Sequence, residues 1–120
     1  QKDCRVQDQF FLAGFSAGAE FVQAYTFDHP NSVKAAVLLS SGNYYGPDPA
    51  AQEVPILVVI GGRDDPTAVK NAQLFTELLK ENQFSVELNI LPGVGHEISP
   101  QALERTIRLY NEVNASTPEP

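Results

Sequence analysis

The sequence predicts an α/β domain: a parallel sheet of about four strands flanked by helices. Two observations predict it. The spacing of the apolar residues switches regularly along the chain between short continuous runs and helical periodicity, the pattern of strands alternating with helices. The helical stretches also have readable ends, marked by Pro, Asp and Gly. With 120 residues, 42% hydrophobic and 19% charged, the chain matches one globular domain over residues 1–114, with a loose, polar, proline-bearing tail over 115–120.

The elements follow in order. Phe10-Phe11-Leu12-Ala13 is a continuous apolar run, as expected of a strand buried on both faces. Residues 17 to about 27 place Phe21, Ala24, Tyr25 and Phe27 at helical spacing, and Asp28-His29-Pro30 ends that helix because the residue before a proline avoids the α region. Residues 33–39 and 54–60 are two further apolar strands. The stretch between them, residues 40–53, is rich in Gly, Pro and Asn and reads as a loop with one short turn. Pro66 can take the first helical position after Asp65, and Val69, Ala72, Phe75, Leu78 and Leu79 then make an apolar stripe. Residues 85–91 alternate, with Val86, Leu88 and Ile90 on one face, which suits a strand near an edge. A last helix opens at Ser99-Pro100 and lines up Leu103, Ile107, Tyr110 and Asn114. Strands separated by helices run parallel through right-handed crossovers.

Composition excludes several classes of function. The formal charge is -7, with no basic cluster, so the field of the molecule repels phosphate backbones and nucleic acid is not an expected partner. No apolar run reaches the roughly 18 residues of a membrane span. Two histidines and the single Cys4, without close spacing, make no zinc signature, and Asp64-Asp65 lacks the rest of a calcium loop. No phosphate-cradling loop or dinucleotide fingerprint is present. No cofactor or metal is expected. The chain holds no methionine and no secretory opening, and is expected to be an excerpt or a processed product.

Gly14-Phe15-Ser16-Ala17-Gly18 follows the first strand directly and opens the first helix, the context that a nucleophile elbow requires. Small residues are expected at both glycine positions because a side chain at either would clash with the neighbouring strand or helix. The helix N-terminus aims free N–H groups at an oxygen forming beside Ser16, and the N–H of Ala17 is the first oxyanion donor expected. A serine hydroxyl needs a base. His29 stands at the far end of the same helix, roughly 18 Å away at 1.5 Å per residue, and is expected to serve the turn at Pro30. His96, in Pro92-Gly93-Val94-Gly95-His96-Glu97 just past the last strand, is the candidate base. A carboxylate must fix the imidazole's tautomer. Gly61-Gly62-Arg63-Asp64-Asp65-Pro66 follows the third strand, and Asp65 is the candidate acid. Two rival readings stay open: Asp64 is the acid, or Asp65 is only a helix N-cap with Asp64 facing solvent or pairing Arg63. Ser16, Asp65 and His96 follow three different strands, so all three are expected at the carboxyl rim where open α/β sheets bind ligands. Phe15, Tyr44 and Tyr45 are weaker candidates for substrate contact. Glu20 and Glu97 are expected to be a surface and a loop charge, and Asn114-Ala115-Ser116 is a glycosylation sequon by letter alone.

Together, Phe11-Leu12-Ala13-Gly14-Phe15-Ser16-Ala17-Gly18, Gly62-Arg63-Asp64-Asp65-Pro66 and Gly95-His96-Glu97-Ile98-Ser99-Pro100 resemble the α/β-hydrolase superfamily, most closely its phospholipase/carboxylesterase and dienelactone-hydrolase-like branches. The resemblance spans about residues 8 to 113 and corresponds to the second half of that fold. It implies a serine esterase with Ser16 as nucleophile, Asp65 as orienting acid and His96 as base, needing no cofactor and taking a small ester. A histidine base works in its neutral form, so activity is expected to rise through about pH 6 to 8. Gly18-Ala19 stands where many members have a glycine pair. The family's earlier strands have no counterpart here, nor has the loop that supplies its second oxyanion donor. The strand at Phe10–Ala13 would then be an exposed edge, covered by the missing N-terminal half or by a second copy in a homodimer. The alternatives are a non-catalytic or truncated half-domain and a peptidase of the same fold.

Overall fold

Four short apolar segments become four parallel strands of one sheet in the computed structural model, which describes residues 9–115. They are β1 (Phe10–Phe15), β2 (Val33–Leu39), β3 (Ile56–Gly61) and β4 (Val86–Leu91). Their spatial order follows their chain order, and every neighbouring pair is parallel. The helices are α1 (Ala17–Asp28), α2 (Pro66–Glu81) and α3 (Pro100–Ala115). Within the loop between β2 and β3 lies one 3-10 turn at Pro49–Ala51, with Asp48 accepting the Ala50 N–H at 3.0 Å. Cys4 and residues 116–120, which include most of the expected tail and the sequon's Ser116, lie outside the described residues.

Alternation along the strands divides the core into two layers. Leu38, Val58 and Ile60 face α1 and α2, where Ala19, Val22, Ala72, Phe75 and Leu79 close over them. Val37, Leu39, Leu57 and Val59 face the other side, where Ala102 of α3 and Val94 pack. The central strands β2 and β3 are covered on both faces, so they read as continuous apolar runs. β4 lies at one edge, as its alternation implies.

Three expectations are corrected. β1 is not buried on both faces: none of its residues is buried and Phe10 is 53% exposed, its place at the other edge of the sheet being the one expected. α1 does not bury the Phe21–Ala24–Tyr25–Phe27 set in full: its buried residues are Ala19, Val22, Gln23 and Thr26, Tyr25 and Phe27 are half-buried against the core, and Phe21 stands in solvent. The reason is close approach. A Cβ on Gly14 would run into the backbone carbonyl of Gly18, so the helix rides on β1 too tightly for aromatic rings to lie between them. Gly18 is different, because a Cβ there would meet nothing within 4 Å; only the first glycine of the elbow is required sterically. The third correction concerns α3, which buries Ala102 but leaves Leu103, Ile107 and Tyr110 exposed. The Phe11 ring meets this stripe edge-to-face at Tyr110, at 5.2 Å.

Candidate active site

Ser16 occupies the single residue between β1 and α1. Its φ of 58° and ψ of -116° lie in a region that L-residues rarely adopt, at a cost of about 1–3 kcal/mol. The strain persists because both sides are tied down. The Ser16 N–H donates to the Leu39 carbonyl at the end of β2 at 2.8 Å, and the Ser16 carbonyl accepts from Ala19 and Glu20 in the first turn of α1. The side chain is thereby lifted above the sheet's carboxyl rim, beside the first N–H groups of the helix, which have no intrahelical acceptor.

The imidazole reaches the same point from the loop after β4. His96 Nε2 lies 3.1 Å from Ser16 Oγ, and Nδ1 lies 2.9 Å from Asp64 Oδ2. A carboxylate only accepts, so the Nδ1–H donates to Asp64. That leaves the Nε2 lone pair for the serine proton. The Phe15 ring, at the end of β1, sits 5.0 Å from the imidazole. A ring placed there supports the histidine.

The acid is the principal correction. The carboxylate on His96 is that of Asp64, not Asp65. Asp65 is exposed and caps α2 as N-terminal residue, without a side-chain cap bond. Asp64 is held by its surroundings: its N–H donates to the Gly61 carbonyl at 3.1 Å, and its Oδ1 accepts the Asp65 N–H at 2.7 Å. No ion pair joins it to Arg63 among the described residues. The glycine before this turn decides the geometry. A Cβ on Gly61 would run into the Val94 and Gly95 carbonyls, so only glycine lets the acid turn lie directly against the histidine loop. Gly62 and Arg63 then donate to the Leu91 and Val94 carbonyls at 2.8 and 2.9 Å. A signal was present in the Gly-Gly pair, but it names the close approach and not which carboxylate turns inward.

The other candidates fall elsewhere. His29 stays at the end of α1, donating its N–H to the Tyr25 carbonyl and lying 3.3 Å from Asp28. Tyr44 and Tyr45 border a cavity of about 330 Å³ with Asn71, Leu74, Phe75 and Leu78. Glu20 accepts from the Asn43 side chain at 3.2 Å, and Glu97 is exposed. Among the described residues no cluster of three or more His, Cys, Asp or Glu could hold a metal ion, and no helix is long and apolar enough to cross a membrane. Missed from sequence altogether is Gln23, a buried residue of α1 that binds the loop following β2.

Residues 1–115 match the model of the dienelactone hydrolase family. A probable carboxylesterase of Oryza sativa subsp. japonica is 28% identical over 102 residues, covering 80% of this chain and 38% of the relative. Among solved structures, Arabidopsis thaliana SOBER1 superposes with a TM-score of 0.75 at 24% identity, covering 87% of this chain and 52% of that one. Zea mays acyl-protein thioesterase 2 superposes with a TM-score of 0.71 at 22% identity, covering 88% and 56%. These likenesses show a shared α/β-hydrolase fold. The chain spans about half the length of the proteins it matches.

Proposed function

The chain belongs to the dienelactone hydrolase family, and from that premise we propose that it is a serine hydrolase cleaving carboxylic esters through an acyl-enzyme on Ser16. The observation that carries the reading is the continuous line Asp64–His96–Ser16, with contacts of 2.9 and 3.1 Å. His96 Nε2 takes the Oγ proton as Oγ attacks the ester carbonyl. The carbonyl oxygen becomes an oxyanion beside the N–H of Ala17 at the start of α1, where the helix dipole also favours negative charge. Collapse expels the alcohol, which takes the proton from Nε2. Water, deprotonated in turn by His96, attacks the acyl carbon and frees Ser16. Asp64 stabilises the imidazolium formed at each step and holds its orientation.

Among the described residues we assign one oxyanion donor of the usual pair, the Ala17 N–H. Removing one such donor costs on the order of 100- to 1000-fold in turnover, so slow hydrolysis is expected of the 120-residue chain. The open edge of β1 and the exposed Leu103–Ile107–Tyr110 stripe favour an added partner there, either an N-terminal half or a second copy. The same observations favour a second reading, a non-catalytic half-domain. A fluorophosphonate probe followed by mass spectrometry separates the two. An adduct on Ser16 that His96→Ala abolishes supports the hydrolase, and unmodified protein favours the half-domain.

A further inference from the structure

Two serines of positive φ meet at one carbonyl. Ser16 has a φ of 58° and Ser40 a φ of 53°. The Leu39 carbonyl accepts the Ser16 N–H at 2.8 Å, and Ser40 is the next residue in the chain, its own N–H donating to the Val59 carbonyl of β3 at 2.8 Å. A positive φ is uncommon for a serine and persists only where the surroundings over-determine it. Ser16 has a regular element on each side. Ser40 has β2 on one side only, and beyond it the chain enters the irregular loop before β3, so the far side of that turn must be held from outside the loop.

Gln23 supplies that hold. It stands about two turns along α1 from Ser16 and is 1% exposed. Its Nε2 donates to Ser41 Oγ and to the Asn43 carbonyl, both at 2.9 Å, and its Oε1 accepts the Tyr45 N–H at 2.9 Å. A carbonyl only accepts and a backbone N–H only donates, so the amide's orientation is settled. The buried Ser41 donates from Oγ to the Asn43 carbonyl at 2.6 Å. One turn nearer the serine, Glu20 Oε2 accepts from Asn43 Nδ2 at 3.2 Å. A polar side chain is costly to bury unless its hydrogen bonds are made. Here they are made to the path of the loop, which an apolar residue of the same size could not follow.

We propose that Gln23 is a positioning residue for the nucleophile: it fastens residues 41–45 to the serine's own helix, and so fixes the turn at Ser40 and the Leu39 carbonyl that holds the Ser16 N–H. The inference rests on the hydrolase reading and deepens it. Both ends of the tie lie on one helix. Ser16, at the head of α1, bonds the last residue of β2, and Gln23, further along, bonds the loop just beyond it. The helix and the end of β2 therefore move together. Without the tie the Ser16 backbone gains freedom, and Oγ spends less time on the 3.1 Å line to His96 Nε2, where proton transfer needs it.

The test is Gln23→Leu, which keeps the bulk of the side chain and removes all three bonds. Ser41→Ala is the milder second variant, leaving Gln23 its bonds to Asn43 and Tyr45, and it decides the matter if the first does not fold. Amide hydrogen exchange reads the Ser16 N–H bond to Leu39 whether or not Ser16 reacts, and the amides of the buried Val37 and Val58 read any general loss of stability. In Gln23→Leu the Ser16 and Ser40 amides are expected to exchange about tenfold faster, beyond any rise shared with Val37 and Val58, and fluorophosphonate labelling of Ser16 to slow about three- to tenfold. Ser41→Ala should move both in the same direction by about two- to threefold. Exchange that rises equally at Ser16 and in the core overturns the proposal and makes Gln23 a stabilising residue only. A selective rise at Ser16 with an unchanged labelling rate overturns it too. If the unaltered chain takes no label, it is the hydrolase reading that fails, and the exchange pattern still decides whether Gln23 holds the Ser16 backbone.

Discussion

Asp64 and His96 are joined at 2.9 Å between Oδ2 and Nδ1, and the pair is unevenly placed: the carboxylate is 7% exposed and the imidazole 48%. The carboxylate is therefore fixed in the protein while the imidazole it holds faces solvent. Loss of the orienting carboxylate in such a triad lowers turnover about 10⁴-fold. Asp64→Asn should lower the rate of Ser16 labelling by a factor of that order, measured under single-turnover conditions. Asp65→Asn, which preserves a good N-cap residue, should change the rate less than about twofold and the stability by less than about 0.5 kcal/mol.

The elbow's two glycines should answer differently to alanine. At Gly14 the added methyl meets the Gly18 carbonyl and the following backbone nitrogen, neither of which can move without shifting α1. Gly14→Ala should cost about 1–3 kcal/mol or more by overpacking. At Gly18, inside the first turn of α1 and with open space around it, alanine should be neutral or stabilise by about 0.5–1 kcal/mol. Urea unfolding midpoints of the two variants check both.

Tyr44 should set an alkaline limit to stability. Its folded pKa is raised, first by burial and then by Asp64, so the folded state holds the phenol proton more tightly than the unfolded chain does. That contribution is fully present below the ordinary tyrosine value of about 10 and is lost as pH rises above it. The denaturation midpoint should fall above about pH 10, and Tyr44→Phe should flatten the fall. In an ultraviolet titration of the folded protein, Tyr44 should ionise above the ordinary tyrosine range.

Self-association should follow the open apolar faces. Phe10 on the edge strand and Ile107 on α3 are 53% and 54% exposed. Phe10→Lys together with Ile107→Glu should lower sedimentation-detected association without lowering the unfolding free energy by more than about 0.5 kcal/mol, since neither side chain is buried. A chain that stays monomeric at high concentration before any substitution would remove the homodimer as the cover for this edge.

The order of elements, the parallel sheet and the meeting of Ser16 with His96 at the sheet's carboxyl rim were legible in the chain itself. Each rests on local physics: apolar periodicity, a proline that ends or begins a helix, and small residues around a strained turn. Choosing between Asp64 and Asp65 did not. Adjacent carboxylates in one turn look alike to any local rule, and the choice fell to a long-range contact, the turn at Gly61 pressing on the Val94–Gly95 carbonyls. Helix faces divided the same way. Spacing pointed to Phe21 and to the Leu103–Ile107–Tyr110 stripe, yet burial went to Ala19, Val22, Gln23 and Ala102, because what a helix buries depends on the surface it meets and on how near it can come. Gln23 left no trace in the pattern at all: a polar residue is buried only where partners from elsewhere complete its hydrogen bonds, and tertiary structure alone brings those partners to it.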